Sequence, residues 1–307
     1  MTTSTEAPNA FTPTGEGVVL VCSGGGLHGA AQAGMLEVLF EAGFSCEGVV
    51  GVSAGACNAL YMAYDPTPVG AARLCEVWAG LDIADVFPTT KRAQITGLIA
   101  QRSGTQRQEN FKKQLQVYLP VQDLNECSLP IRIAAVDSVT GEEVWFSEGP
   151  ALEVLLASAA LPGVFPPVLL DGRHLYDGGV VHVLPIAKAL EFNPSAVLAL
   201  DVTKAPPSSQ IQSQLAALRR GIDHTRDALR SAQLAAVPGH VDLALVRAEE
   251  KPFVSLASEV EYGREAMRVH LEKNPLRAVE RTKVSMPRQS SRPLRTKLTR
   301  IRAALKD

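Results

Sequence analysis

Apolar positions in the first part of the chain alternate between two patterns. VVLVC at 18–22 is short and continuous, as in a strand buried on both faces. The segment 30–43 then repeats apolar residues at helical spacing, with Met35, Leu36, Leu39 and Phe40 on one stripe and Gly43 as its stop. GVVGV at 48–52 predicts a second buried strand, and AGACNALYMAY at 54–64 a helix of small residues. Strand, helix, strand, helix with short links predicts a parallel sheet covered by helices on both faces.

Further along, 66–128 reads as mostly helical, with a Gln/Arg-rich stretch around 101–114 suited to shaping a substrate mouth. IRIAAVD (131–137) and EEVWFS (142–147) flank a Gly-containing turn and predict a hairpin. Pro150 opens a helix that Pro162 and Gly163 end. HLYDGG (174–179) reads as a strand entering a turn, and 196–203 and 240–248 as further strands. The amphipathic run 208–236 carries Ile211, Leu215, Leu218, Ile222 and Leu229 on one stripe, which predicts core packing on that face. A last core helix is expected over 257–273, and no repeat of 20–50 residues occurs. This organises the chain as a flexible polar arm (1–16), one α/β domain (17–274) and a basic tail (275–307).

Composition narrows the class. At 307 residues with 46% hydrophobic and 20% charged side chains, the chain can bury a sizeable core without disulfides or metals. Five scattered cysteines form no C-x-x-C pair, which fits a reducing compartment and disfavours a zinc cluster. Residues 281–307 hold nine Lys/Arg against one acid, leaving 21 against 31 in the rest. An acidic body offers no broad face to nucleic acid. The stretch 292–306 places Leu294, Leu298, Ile301 and Leu305 on one stripe among basic residues, a pattern for peripheral contact with an anionic membrane. The two longest uncharged stretches, 48–64 and 154–170, are broken by Gly, Asn or Pro and do not read as membrane spans, so a cytoplasmic protein is expected.

Three motifs carry chemistry. Gly24, Gly26 and Gly29 in GGGLHG (Gly24, Gly25, Gly26, Leu27, His28, Gly29) fit G-x-G-x-x-G between a strand and a helix. A dinucleotide site would add an acid at the end of the second strand, where Ser53 stands instead. Bare N–H groups at a helix start also suit an oxyanion. The second motif, Gly51-Val52-Ser53-Ala54-Gly55, is G-x-S-x-G between strand and helix, the setting of a nucleophile elbow. Its serine needs a base. Of the histidines after Ser53, His240 is the candidate for a conventional triad. The other candidate base is Asp177 of Asp177-Gly178-Gly179, at a strand end. The spacing of His174, Asp177 and His182 matches no standard zinc pattern, so no metal is expected.

Taken in order, these motifs resemble the patatin-like phospholipase family, in its single-domain bacterial form. ASAALPGVFPPV (157–168), the Thr140-Gly141 hairpin and the Leu184-Pro185 pair after D-G-G are also similar. The resemblance implies a three-layer α/β/α fold with a mostly parallel central sheet. It implies a Ser53–Asp177 dyad without histidine, and N–H donors from Gly25 and Gly26. The implied reaction is hydrolysis of a lipid acyl ester through an acyl-enzyme, with no cofactor. A carboxylate near pKa ~4 is a weak base for a hydroxyl unless the oxyanion is stabilised as the proton moves. Alternatives that keep the motifs are a thioesterase or acyltransferase with the same dyad, and a non-catalytic protein holding a lipid or a partner. One departure is His28, where the family usually has Arg or Lys; it either alters pH dependence or substrate preference, or merely caps the loop.

Overall fold

The structure, a computed structural model, describes residues 11–83, 101–203, 214–248 and 253–279. Its elements in chain order begin with β1 (Thr12–Thr14), β2 (Val18–Cys22), α1 (Gly29–Glu41), β3 (Gly48–Val52), α2 (Ala54–Tyr64), α3 (Pro68–Gly80) and α4 (Gln101–Tyr118). There follow β4 (Ile131–Asp137), β5 (Glu143–Phe146), α5 (Ala151–Ser158), β6 (Val168–Leu170), β7 (Arg173–Asp177), α6 (Ile186–Leu190) and β8 (Ala196–Asp201). The last elements are α7 (Gln214–Ala235), β9 (Asp242–Arg247), α8 (Leu256–Lys273) and β10 (Leu276–Ala278).

The main sheet runs β6-β7-β4-β3-β2-β8-β9, with β5 also pairing β4. The central strands β4, β3, β2, β8 and β9 are parallel; β5, β6 and β7 join as antiparallel strands. Every residue of β2, β3 and β8 is buried, which is why these segments carry almost no polar side chain. Alternate residues feed two cores. Val18, Leu20, Cys22 and Val49 pack with the larger set of helices, whereas Val19, Val21, Val50, Val197 and Ala199 pack against Ile186 and Ala189 of α6. The result is the expected three-layer arrangement. Strand order reverses between β2 and β8, so ligand chemistry belongs at the carboxyl ends of the strands beside that crevice.

Helix α1 has no polar face because α8 lies against its outer side. A Cβ on Gly34 would sit 2.0 Å from the Val260 carbonyl oxygen, and one on Gly263 1.8 Å from that of Ala31. Only bare backbone permits this crossing.

Two expectations change. Residues 12–14 were expected in a flexible arm, but they pair with 276–278 as a two-stranded parallel sheet. Buried Thr12 anchors the pair: its hydroxyl donates to the Asn274 carbonyl at 2.7 Å and lies 2.9 Å from His270 Nε2. The stripe on the long helix is also reversed. Ile222 is 48% and Leu229 38% exposed, while Arg230, about a quarter-turn round the helix from them, is 7% exposed. Helix α7 meets carboxylates at the strand ends, and so turns its polar face inward. Residues 281–307, including the basic amphipathic stretch, lie outside the described residues, as do Ile211 and the start of that stripe.

Candidate active site

Ser53 follows β3 and heads α2 with φ 57° and ψ −127°, a strained conformation for a residue with a side chain. The flanking glycines are required by contact. A Cβ on Gly51 would come within 2.4 Å of the Gly55 carbonyl oxygen, and one on Gly55 within 2.3 Å of that of Cys22. Val52 and Ala54 are buried on either side and hold the turn in the core.

Asp177 ends β7. The strand registers explain how it meets Ser53 across 124 positions of sequence. Val52 pairs with Ala134 and Asp177 with Ala135, so the two residues flank β4 at its smallest side chains. Ser53 Oγ donates to Asp177 Oδ2 at 2.6 Å. Asp177 Oδ1 accepts the Gly179 N–H at 2.7 Å. Gly178 sits against β4, where a Cβ would lie 2.6 Å from that of Ala134. Asp177 is 3% exposed, and this burial pushes its carboxyl up to about 6. The hydrogen bonds from Ser53 and Gly179, and the charge of Arg226, hold it from rising further.

The glycine loop stands beside the serine. A Cβ on Gly24 would lie 3.4 Å from that of Ser53. The Gly24 N–H donates to the Val183 carbonyl at 2.8 Å. Among the described residues no partner takes the N–H groups of Gly25 and Gly26. Leu27 is half-buried against the larger core. The His28 ring turns toward α8, with Nδ1 2.8 Å from Glu259 Oε2 and its edge toward Phe253.

Three contributors escaped sequence reasoning. Ser158, at the end of α5, is fully buried and its Oγ accepts the Ser53 N–H at 2.9 Å. Asn58 donates to the Gly29 carbonyl at 3.0 Å and to Gln32 Oε1 at 2.8 Å, and accepts from Trp78 Nε1 at 2.7 Å. Gln32 continues the chain to the Leu200 carbonyl at 2.8 Å. This buried network ties the glycine loop to the ends of β8 and α2. The third is Arg226, on the inner side of α7. Small or polar residues amid apolar helices were the available signal for the first two; Arg226 gave none.

The other titratable candidates lie elsewhere. His240 is exposed in the turn before β9, and the Ser53 hydroxyl is engaged by Asp177 instead. His182 is held between Glu143 and Gln233. Among the described residues no group of three or more His, Cys, Asp or Glu side chains can hold a metal, and no helix is long and apolar enough to cross a membrane. The Gln-rich helix α4 reaches the loop before Asp177, stacking Phe111 on Phe165 and bonding Gln108 to the Pro166 carbonyl at 3.0 Å.

A doubly wound sheet with a strained serine between strand and helix, facing a carboxylate, defines a class of α/β proteins built around a serine nucleophile motif. The sequence model of the patatin-like phospholipase family matches residues 20–190, more than half of the chain, and the chain belongs to that family. It is 29% identical over 206 residues to an uncharacterized NTE family protein of Mycobacterium bovis, covering 65% of this chain and 53% of the relative. A patatin-like phospholipase domain-containing protein 7 of Mus musculus is 29% identical over 198 residues, 62% of this chain and 14% of that one. A lysophospholipase of Coccidioides immitis is 28% identical over 200 residues, 61% of this chain and 12% of that one. The chain thus spans about half the length of the first of these relatives and a small part of the others. Among solved structures, VipD from Legionella pneumophila aligns with a TM-score of 0.47 at 14% identity, over 87% of this chain and 68% of that one.

Proposed function

We propose that the protein is a serine hydrolase of lipid acyl esters that works through a Ser53–Asp177 dyad. The observation that carries this reading is the 2.6 Å hydrogen bond from Ser53 Oγ to Asp177 Oδ2 at the elbow. Ser53 Oγ attacks the ester carbonyl carbon while its proton passes to Asp177. The carbonyl oxygen becomes an oxyanion held by the N–H groups of Gly25 and Gly26. Donors of this kind are typically worth ~3–4 kcal/mol each. Collapse expels the alcohol, which takes the proton from Asp177 and leaves an acyl-Ser53. A water then attacks that acyl group, giving its proton to Asp177; the acid leaves and the proton returns to Ser53 Oγ.

A buried carboxyl near 6 suits this work better than one at ~4, because its conjugate base competes more effectively for a hydroxyl proton. Membership of the patatin-like phospholipase family and the lysophospholipase among the relatives support a lipid-borne ester as substrate.

The test is intact-mass spectrometry after reaction with a fluorophosphonate probe. One adduct on the wild type, absent from Ser53→Ala and slowed at least tenfold in Asp177→Asn, is expected. A folded wild type that takes no adduct overturns the reading.

A further inference from the structure

Helix α2 buries every residue except Cys57, Tyr61 and Tyr64. Ser53, half-buried at its head, is followed by Cys57 and Tyr61 at spacings of four, so the three stand on one side of the helix, a turn apart. That side begins at the nucleophile, whose hydroxyl is held by Asp177. Cys57 adds no charge to it, since burial pushes the thiol up to about 12 and leaves a small apolar surface. Cys57 and Tyr61 both pack against the larger core.

The stripe is closed at Tyr61. The Tyr61 hydroxyl donates to the Tyr118 carbonyl at the end of α4. The Tyr118 hydroxyl donates in turn to the Gly80 carbonyl at the end of α3 at 3.4 Å. A Cβ on Gly80 would lie 2.7 Å from that hydroxyl oxygen, so the joint is tight. Gln114 of α4 seals it again, accepting the Asp82 N–H at 2.9 Å and donating to the Asp82 carbonyl at 3.1 Å. Three helices therefore meet at Tyr61. Tyr64, the next residue on that side of α2, is at the surface.

We infer that the open side of α2 seats the acyl chain of the substrate, and that Tyr61, locked to Tyr118, is the residue that limits its length. The inference deepens the proposed function and rests on Ser53 being the residue acylated. Eight residues of helix separate Ser53 from Tyr61, a rise of ~12 Å. An extended chain of single bonds of ~1.5 Å advances ~1.3 Å per carbon, so roughly nine carbons fill the stripe. Carbons beyond that number meet the joint of the three helices and stay outside.

Binding separates this inference from the catalytic reading, so the test uses the Ser53→Ala protein, which keeps the stripe and cannot turn over. Titration calorimetry compares 1-butanoylglycerol, 1-octanoylglycerol and 1-dodecanoylglycerol at concentrations where each is monomeric. The octanoyl ester is expected to bind at least about tenfold more tightly than the butanoyl ester, since each further buried methylene is worth roughly fourfold. The dodecanoyl ester is expected to bind within about threefold of the octanoyl ester, because its last carbons gain no burial. Adding Cys57→Trp, which fills the stripe halfway, should bring the octanoyl ester to within about threefold of the butanoyl ester. Adding Tyr61→Ala should let the dodecanoyl ester bind at least about tenfold more tightly than the octanoyl ester, whereas Tyr61→Phe keeps the ring and the limit. Affinity that climbs from eight to twelve carbons as steeply as from four to eight, or an octanoyl preference that survives Cys57→Trp, overturns the inference. Thermal unfolding of each variant separates a lost seat from a lost fold, and Cys57→Trp keeps the test open if Tyr61→Ala does not fold. Failure of fluorophosphonate labelling with the length limit intact would sink the catalytic reading alone.

Discussion

Ser158 accepts the backbone N–H of Ser53 at 2.9 Å, so the elbow is held from a helix 105 residues further along the chain. The bond engages the N–H nearest the nucleophile. In the proposed reaction the oxyanion is then left to the glycine loop, whose Gly25 and Gly26 N–H groups have no partner among the described residues. Replacing Ser158 by Ala leaves a buried N–H unsatisfied under an already strained turn. The expected loss is about 1–3 kcal/mol of stability, with at least a tenfold slower fluorophosphonate reaction at Ser53. Urea unfolding and labelling kinetics measure the two effects; unchanged labelling would mean that the turn holds its own geometry.

Asp177 titrates at about 6, and the proposed chemistry requires its ionised form. The labelling rate should therefore rise with pH through about 6 and level off above 7. Removing Arg226 takes away a charge that favours the carboxylate, so Arg226→Met should move the midpoint upward. A midpoint near 4 in the wild type would show that Asp177 is not the titrating base.

The same shift has a consequence for stability. The folded protein holds the Asp177 proton more tightly than the unfolded chain, whose aspartates titrate near ~4. The stabilisation this gives is complete below ~4 and is lost as the pH rises through about 6. Asp177→Asn does not titrate. Its stability relative to wild type should therefore improve by up to about 3 kcal/mol between pH 4 and pH 7.5, while labelling falls. Urea midpoints at the two pH values test this, and a constant difference between the proteins would refute it.

Asn58 is the junction of the buried network under the glycine loop. Asn58→Leu strands Gln32 Oε1 and the Trp78 indole N–H, at a cost of about 3 kcal/mol. Trp78→Phe in that background removes one of the stranded groups, and a double-mutant cycle should show positive coupling. Additive losses would mean that the two side chains act independently.

Gly178→Ala drives a methyl group into Ala134, the residue beside which Val52 and Asp177 are registered. Labelling should fall at least tenfold with the fold retained, since the clash displaces the D-G-G turn rather than the core. Ala134→Gly should restore little of the loss, because the added Cβ would still lie 2.7 Å from the Ala134 carbonyl oxygen. A normal rate in Gly178→Ala would show that the turn accommodates the methyl group elsewhere.

Much of this was legible in local sequence. Continuous β-branched runs marked β2, β3 and β8, because strands buried on both faces admit little else. Ser53, with a glycine two places to either side, and Asp177, followed by two glycines, were legible because such glycines mark a local backbone constraint. Ser158 and Asn58 were not, since their partners come from remote elements. The orientation of α7 could not be read at all. Periodicity shows that a helix has two faces, but the choice of inward face depends on what it meets. Here Asp201 and His182 await it, and Arg230 and Gln233 turn toward them. The brief strand at 12–14 gave no signal, because three residues of mixed polarity pair only when 276–278 lies alongside.

The register across β4 also bears on regulation. Ser53 and Asp177 are fixed to the two strands that flank β4 in one hydrogen-bonded sheet, with no hinge between them. A bound partner, a membrane or a modification cannot easily part them without breaking that sheet. Control of such a pair has to be exercised on the approach to it, through α7 and the loops above the strand ends, by admitting or refusing what comes near.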